Sequence, residues 1–167
     1  MGYFASEIKT MDDLFVHTLR DIYYAENSIL KSLPVMIEKT TNSLLKQALM
    51  THLEETKGQV ERLKRVFQLH GVEIEGVNCA AIDGIMSETD DVTGEVGDKA
   101  VLDAAIIASG QAVEHYEISR YGTLVAWAKR LGRDDCAGLL QQNLDEEKAA
   151  DRKLTSIAET AVNRNAA

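Results

Sequence analysis

The sequence predicts an all-α fold, an antiparallel four-helix bundle with a long crossover between its second and third helices. Three observations carry this expectation. The 167 residues contain one proline and 5% aromatic residues, which disfavours a loop-rich β-sandwich and permits long uninterrupted helices. Apolar residues recur every three or four positions in four long stretches, the spacing of one helix face. Two junctions between stretches are short, whereas residues 72–98 carry Gly76, Gly84, Gly94 and Gly97 among acidic residues and can run the length of a bundle.

The first stretch, about Met11 to Thr40, places Phe15, Leu19, Ile22, Ile29, Leu33 and Ile37 at helical spacing. Thr10 with Asp13 three residues later is a weaker form of a capping box. Pro34 removes one backbone donor and crowds the carbonyl of Leu30, so a kink is expected there rather than a stop. Thr40–Ser43 supplies cap candidates for a second helix carrying Leu45, Leu49, Leu53, Val60, Leu63 and Phe67, ending at His70-Gly71. The long connection has room for a short helix near Cys79–Glu88, and its acidic run Glu88-Thr89-Asp90-Asp91 reads as a solvated loop. A third helix is expected from about Asp98 to Leu131, stopping at Gly132, and a fourth from about Asp134 to Ala161.

The length suits one domain, 1–167, with a core of about 8–160. The formal charge of −9 disfavours a general nucleic-acid binder, because no net basic field would attract phosphate. Cys79 and Cys136 are too few for a disulfide scaffold and lack zinc-ligand spacing; both read as inert buried thiols. No apolar run approaches the ~20 residues of a membrane span, and MGYFASEIKTMDDLF lacks a signal-peptide core. A cytoplasmic protein is the expectation.

Laying the second half on the first with an offset of 91 reveals a weak internal repeat. Phe15 meets Ile106, Ile22 meets Val113, Leu33 meets Leu124, Leu49 meets Leu140, Leu53 meets Leu144 and Leu63 meets Leu154. Under the same offset Glu26 falls on Glu117 and Glu55 on Glu146. Glu26 interrupts the apolar seam of the first helix, and Glu114 and Glu117 share a face of the third about one turn apart. On the fourth helix Glu147 and Asp151 lie in the seam between Leu144 and Leu154. On the second, Glu55 lies beside the seam on a stripe with Ala48, His52, Gln59 and Val66.

Several carboxylates at one level of a dry bundle are costly. Two unit charges ~5 Å apart at an effective dielectric of ~20 repel by roughly 3 kcal/mol. With no lysine or arginine in the seams at this level, two divalent cations held by bridging carboxylates would remove most of the repulsion.

The strings RDIYYAE (Arg20–Glu26), HLEETKGQVERL (His52–Leu63), VEHYEISRYGTL (Val113–Leu124) and LDEEKAADRKLT (Leu144–Thr155) closely resemble the YciF-like stress-protein family of the ferritin-like superfamily. The resemblance implies a ferritin-like bundle, a homodimer, and a di-iron or related metal centre with a stress-related role in peroxide or O₂ reduction or in iron handling. It names no electron donor. Glu26 takes the first-helix ligand position, and Glu114 and Glu117 resemble the paired glutamates of rubrerythrin-type sites. The second and fourth helices depart from the wider pattern: where Glu-x-x-His is expected, Gly58 follows Glu55 and Ala149 follows Glu146. So oxygen-rich a site suits manganese, magnesium or calcium as well as iron.

The candidate metal ligands are therefore Glu26, Glu55, Glu114, Glu117 and Glu147. Glu146 competes with Glu147; the repeat favours Glu146, the seam and Asp151 favour Glu147. His52 is either a ligand or an ordinary half-buried histidine. His115 reads as surface or interface, His70 as complementing a helix C-terminus, and His17 gets no role. Tyr23 and Tyr121 either donate to carboxylates or simply fill the core. The rival to a redox centre is a non-catalytic structural or partner-binding dimer whose site is silent.

Overall fold

Thr10 opens the first helix with a complete capping box: its hydroxyl accepts from the Asp13 N–H, and the Asp13 carboxylate accepts from the Thr10 N–H. The structure, a computed structural model, describes residues 7–167. The segment 1–6, part of the stretch read for a signal peptide, lies outside them. Five long helices follow one another: α1 (Met11–Lys39), α2 (Ser43–His70), α3 (Ala80–Glu95), α4 (Lys99–Arg130) and α5 (Asp134–Ile157). A π-helical turn, Ala158–Val162, then leads into the short α6 (Asn163–Ala166). The described residues contain no strand, and none of their helices is long and apolar enough to cross a membrane.

Helices α1, α2, α4 and α5 form the bundle, with α2 packed on α1 and α5, and α4 on α5 and α1. Neighbours run antiparallel. Glu26 meets Tyr121 while the turn after α1 meets Asp103, and Gln59 meets Glu147 while Val66 meets Cys136. Pro34 lies inside α1, which continues through it. Asn42 and Asp98 cap α2 and α4 through their side-chain oxygens. Two helix ends use the left-handed region: Gly71 (φ 78°) closes α2 ahead of the crossover, and Gly132 (φ 71°) follows α4 in the turn to α5. Phe15, Leu19, Ile22, Leu45, Leu63, Phe67, Leu124 and Leu140 are fully buried between the four helices. At roughly 1.5–3 kcal/mol per side chain, such burial is the main source of stability. The buried Asp103 of α4 ties down the α1–α2 turn, accepting from Thr41 N, Thr41 Oγ1 and Asn42 N at 2.8, 2.6 and 2.9 Å.

Two elements depart from the sequence reading. The crossover helix α3 is longer than Cys79–Glu88, and the acidic run 88–91 lies on it instead of in a loop. The physical reason is a stripe at three- and four-residue spacing: Ile82, Met86, Thr89 and Thr93 face the bundle, while Glu88, Asp90 and Asp91 stay in water. Gly84 and Gly94 sit on that exposed side, where they interrupt no packing. Helix α3 packs on α4 and is fastened to α1 through Tyr24–Asp83 (2.8 Å) and Lys39–Thr93 (3.3 Å). The fourth bundle helix ends as regular α-helix at Ile157, before the expected Ala161, and the backbone widens into the π turn.

Candidate metal centre

Midway along the bundle, polar side chains replace the apolar seam on all four helices. Glu26 comes from α1, His52 and Gln59 from α2, Glu114, Glu117 and Tyr121 from α4, and Asn143 and Glu147 from α5; all are buried. One ligand atom each of His52, Glu114, Glu117 and Glu147 lie within 4.8 Å of one another. The imidazole Nε2 of His52 stands 3.3 Å from Glu114 Oε1. Helical spacing brings this about: Glu114, Glu117 and Tyr121 follow one another at three- and four-residue steps on one face of α4, as do Asn143 and Glu147 on α5.

Around this group a neutral ring holds the carboxylates in place. Tyr121 donates its hydroxyl proton to Glu26 and accepts from Asn143 Nδ2 at 3.0 Å. Gln59 donates to Glu147 and, at 3.0 Å, to Glu146. Even so, both oxygens of Glu117 and one each of Glu26, Glu114 and Glu147 find no hydrogen-bond partner among the described residues, nor does His52 Nδ1. Buried acceptors left this way are expensive.

The electrostatics follow from burial and like charge. Burial, then the Glu147 charge, pushes the Glu26 carboxyl up to about 8, with Tyr121 opposing. Glu114 is pushed up to about 7, first by burial; its contact with Glu147 opposes this, while the charges of Glu26 and Asp151 add to it. Glu117 and Glu147 are raised well above the usual carboxylate range, again by burial first and then by their acidic neighbours. Burial works against a charged His52, but contact with Glu55 and the charges of Glu147 and Glu26 outweigh it and raise its pKa. Each of these glutamates is thus held away from its ionised state unless positive charge arrives.

The structure brings Glu26, Glu114, Glu117, Glu147 and His52 together. Glu55 stands at the rim, 36% exposed, with one oxygen 3.8 Å from His52 Nδ1. Glu146 is half-buried outside the cluster, paired with Arg62. Asp151 accepts from Gln111 at 3.0 Å and meets the exposed His115 at 3.2 Å, so it also lies outside. Tyr23 does not reach a carboxylate; it packs edge-on against Phe67. His70, in the last turn of α2, contacts Asp12 at 3.0 Å. A basic residue does approach this level, because the long side chain of Arg62 reaches in from beside the seam, binding Asn143 and Glu146 but none of the four buried glutamates. The supporting amides were also missed. Extending the repeat would have found one of them, since the offset of 91 lays Asn143 on His52.

The donor set fits hard or borderline divalent ions: clustered carboxylate oxygens, one imidazole, no thiolate, and acceptors lacking partners.

Comparison with known proteins agrees with this architecture. The family described as "Domain of unknown function (DUF892)" matches residues 10–167. Protein YciF of Escherichia coli (strain K12) is 42% identical over 160 residues, 95% of this chain and 96% of the relative. The crystal structure of the E. coli stress protein YciF superposes with a TM-score of 0.89 at 43% identity, covering 93% of this chain and 99% of that one. YcfI from Rhodopseudomonas palustris superposes with a TM-score of 0.90 at 58% identity, with 93% and 99% coverage.

Proposed function

The chain belongs to the DUF892 family and is YciF-like, and from its buried cluster we propose that it is a carboxylate-rich protein holding two divalent ions, iron or manganese, in a stress-related role. Glu26, Glu114, Glu117 and Glu147 with His52 would hold the ions, and Glu55, with one oxygen 3.8 Å from His52 Nδ1 at the rim, is a further candidate. One observation carries the reading: four acidic side chains converge in the dry middle of the bundle with oxygens that nothing else satisfies. Iron or manganese held there would supply redox chemistry toward peroxide or dioxygen, and iron held there would equally serve iron handling.

The chain's own groups set the conditions. Tyr121 and Gln59 orient Glu26 and Glu147 from outside, leaving one oxygen of each pointing inward. Apolar layers of Ile22, Leu124 and Leu140 exclude water from one side. Loading requires the glutamates to release the protons that burial keeps on them, so binding strengthens as pH rises. The reading takes the protein as a cytoplasmic homodimer with neither nucleic acid nor membrane as partner, following the YciF-like resemblance and the acidic charge.

Anaerobic reconstitution with iron or manganese, followed by elemental analysis, tests it. About two ions per chain are expected, and no stoichiometric metal would overturn the proposal. A second reading, a silent site in a structural dimer, is favoured by the rim positions of Glu55 and Glu146, neither followed by a ligating histidine. Peroxide separates the two, because only a redox-active site bleaches or turns over.

A further inference from the structure

A cavity of about 490 Å³ adjoins the cluster on the side of His52 and Glu114, both of which line it. Its walls come from all four bundle helices and include Leu33, Leu49, Ile106 and Leu154, each nine-tenths buried or more. It reaches from the cluster into the bundle, is open to solvent at its mouth, and has Met86 and Thr89 of α3 on its lining as well. The exposed residues on its lining that belong to α2 and α5, among them Gln47, Thr51 and Lys153, mark its opening between those helices.

The internal repeat shows how this space is made. Under the offset of 91, Gly110 corresponds to Leu19, Ala48 to Leu139, Ala150 to Gln59 and Ile106 to Phe15. At the equivalent place in the other half of the bundle the larger members of these pairs sit in the core, with Leu19, Phe15 and Gln59 fully buried. One end of a duplicated architecture is thus packed shut, and the other is hollowed by smaller side chains. Interiors otherwise pack to crystal density, so a cavity this large forfeits many contacts unless something fills it. Water fits poorly, since it needs two to four polar partners and most of the wall offers none.

We propose that this cavity is the ligand chamber of the metal centre and takes a medium-chain aliphatic molecule with an uncharged hydroxyl-type head. At roughly 30 Å³ per carbon, about the space of one water, a chain of roughly ten carbons fills much of the volume. The head group follows from the inner end, where Glu114 Oε2 and His52 Nδ1 lack partners and Glu55 adds negative charge. A hydroxyl is donor and acceptor in one group and can meet both the Glu114 oxygen and the His52 nitrogen, whereas an ionised fatty carboxylate offers acceptors alone. The proposal rests on the metal reading for the role of the inner end, but not for binding in the apolar chamber.

Decan-1-ol is the probe, with binding measured by calorimetry on the full chain as purified. One molecule per chain is expected to bind and raise the melting temperature. Ala48→Leu and Gly110→Leu import the residues of the closed half; a Cβ on Gly110 already meets Leu154 Cδ1 at 3.3 Å. Each should weaken decanol about tenfold or more while leaving metal stoichiometry unchanged. If one variant fails to fold, the other and the wild-type titration still decide. Absence of decanol binding, or equal binding by wild type and folded variants, overturns the chamber. So does a dimer in which Gln47, Thr51 and Lys153 are shielded from hydrogen exchange and decanol is excluded. Decanol binding without metal binding would keep the chamber and sink the metal reading; metal without decanol does the reverse.

Discussion

Replacing Glu117 by glutamine should stabilise the chelator-treated protein at pH 8 and abolish its response to divalent ions. The wild-type carboxyls are the cause. Their pKa values are raised in the folded chain, so the folded state retains protons that the unfolded chain releases above its ordinary glutamate value of 4.5. Stability from such a group is complete below about pH 4.5 and is lost as pH rises through the folded value. For Glu26, whose folded value is about 8, that loss amounts to roughly 5 kcal/mol across the interval. Each pair of ionised groups within 4.8 Å would otherwise repel by roughly 3 kcal/mol. Glutamine at 117 keeps the shape, removes one proton-binding site and relieves its neighbours, for a net gain of roughly 2–4 kcal/mol at pH 8 after the cost of burying an unpartnered amide. In a domain of this size that is about 10 °C in melting temperature, shrinking toward zero at pH 5. Thermal melts from pH 5 to 9, with and without manganese, measure it. Wild type should weaken with pH and recover with metal; the variant should weaken less, because Glu26, Glu114 and Glu147 keep their raised values, and should not recover with metal. A variant matching wild type in both pH profile and metal response would refute the reasoning.

Tyr121→Phe removes the donor to Glu26 and the acceptor for Asn143, which should cost about 1–3 kcal/mol in urea unfolding and loosen metal binding measured by calorimetry. Asp103→Ala leaves Thr41 N, Thr41 Oγ1 and Asn42 N without their partner; a loss of about 2–4 kcal/mol is expected, with faster hydrogen exchange in the α1–α2 turn.

The four long helices and the crossover were legible because apolar spacing, one proline and two glycine stops all agree on them. Helix α3 was legible only in part, since its stripe of Ile82, Met86, Thr89 and Thr93 includes two threonines and reads as weakly apolar. In the site, Glu26, Glu114, Glu117 and Glu147 could be placed because each interrupts an apolar seam. The repeat pointed to Glu26 and Glu117 too, but also to Glu55 and Glu146, and the structure sets Glu55 at the rim and Glu146 outside the cluster on Arg62. A matched pair shares a register, and register alone does not say whether the shared position faces the axis. Arg62 was invisible to seam reading because its guanidinium acts several ångströms from the backbone position that carries it.

The inward-facing members of the cluster reveal what the duplication left unequal. Only Glu26 and Glu117 are equivalent under the offset. Glu114 corresponds to Tyr23, Glu147 to Thr56 and His52 to Asn143. Each partner in the other half serves the scaffold instead. Tyr23 packs on Phe67, Thr56 bonds the His52 carbonyl within its own helix, and Asn143 supports Tyr121. The ionisable groups are therefore shared unevenly between equivalent positions of the repeat, and His52 and Glu114 among them line the cavity that Gly110, Ala48 and Ala150 leave open. If the acids were only a tolerated polar layer, nothing would require their uneven share to coincide with the cavity. A site that must admit a ligand to charged groups requires both on one side, and requires the opposite side to be solid enough to hold the glutamates together.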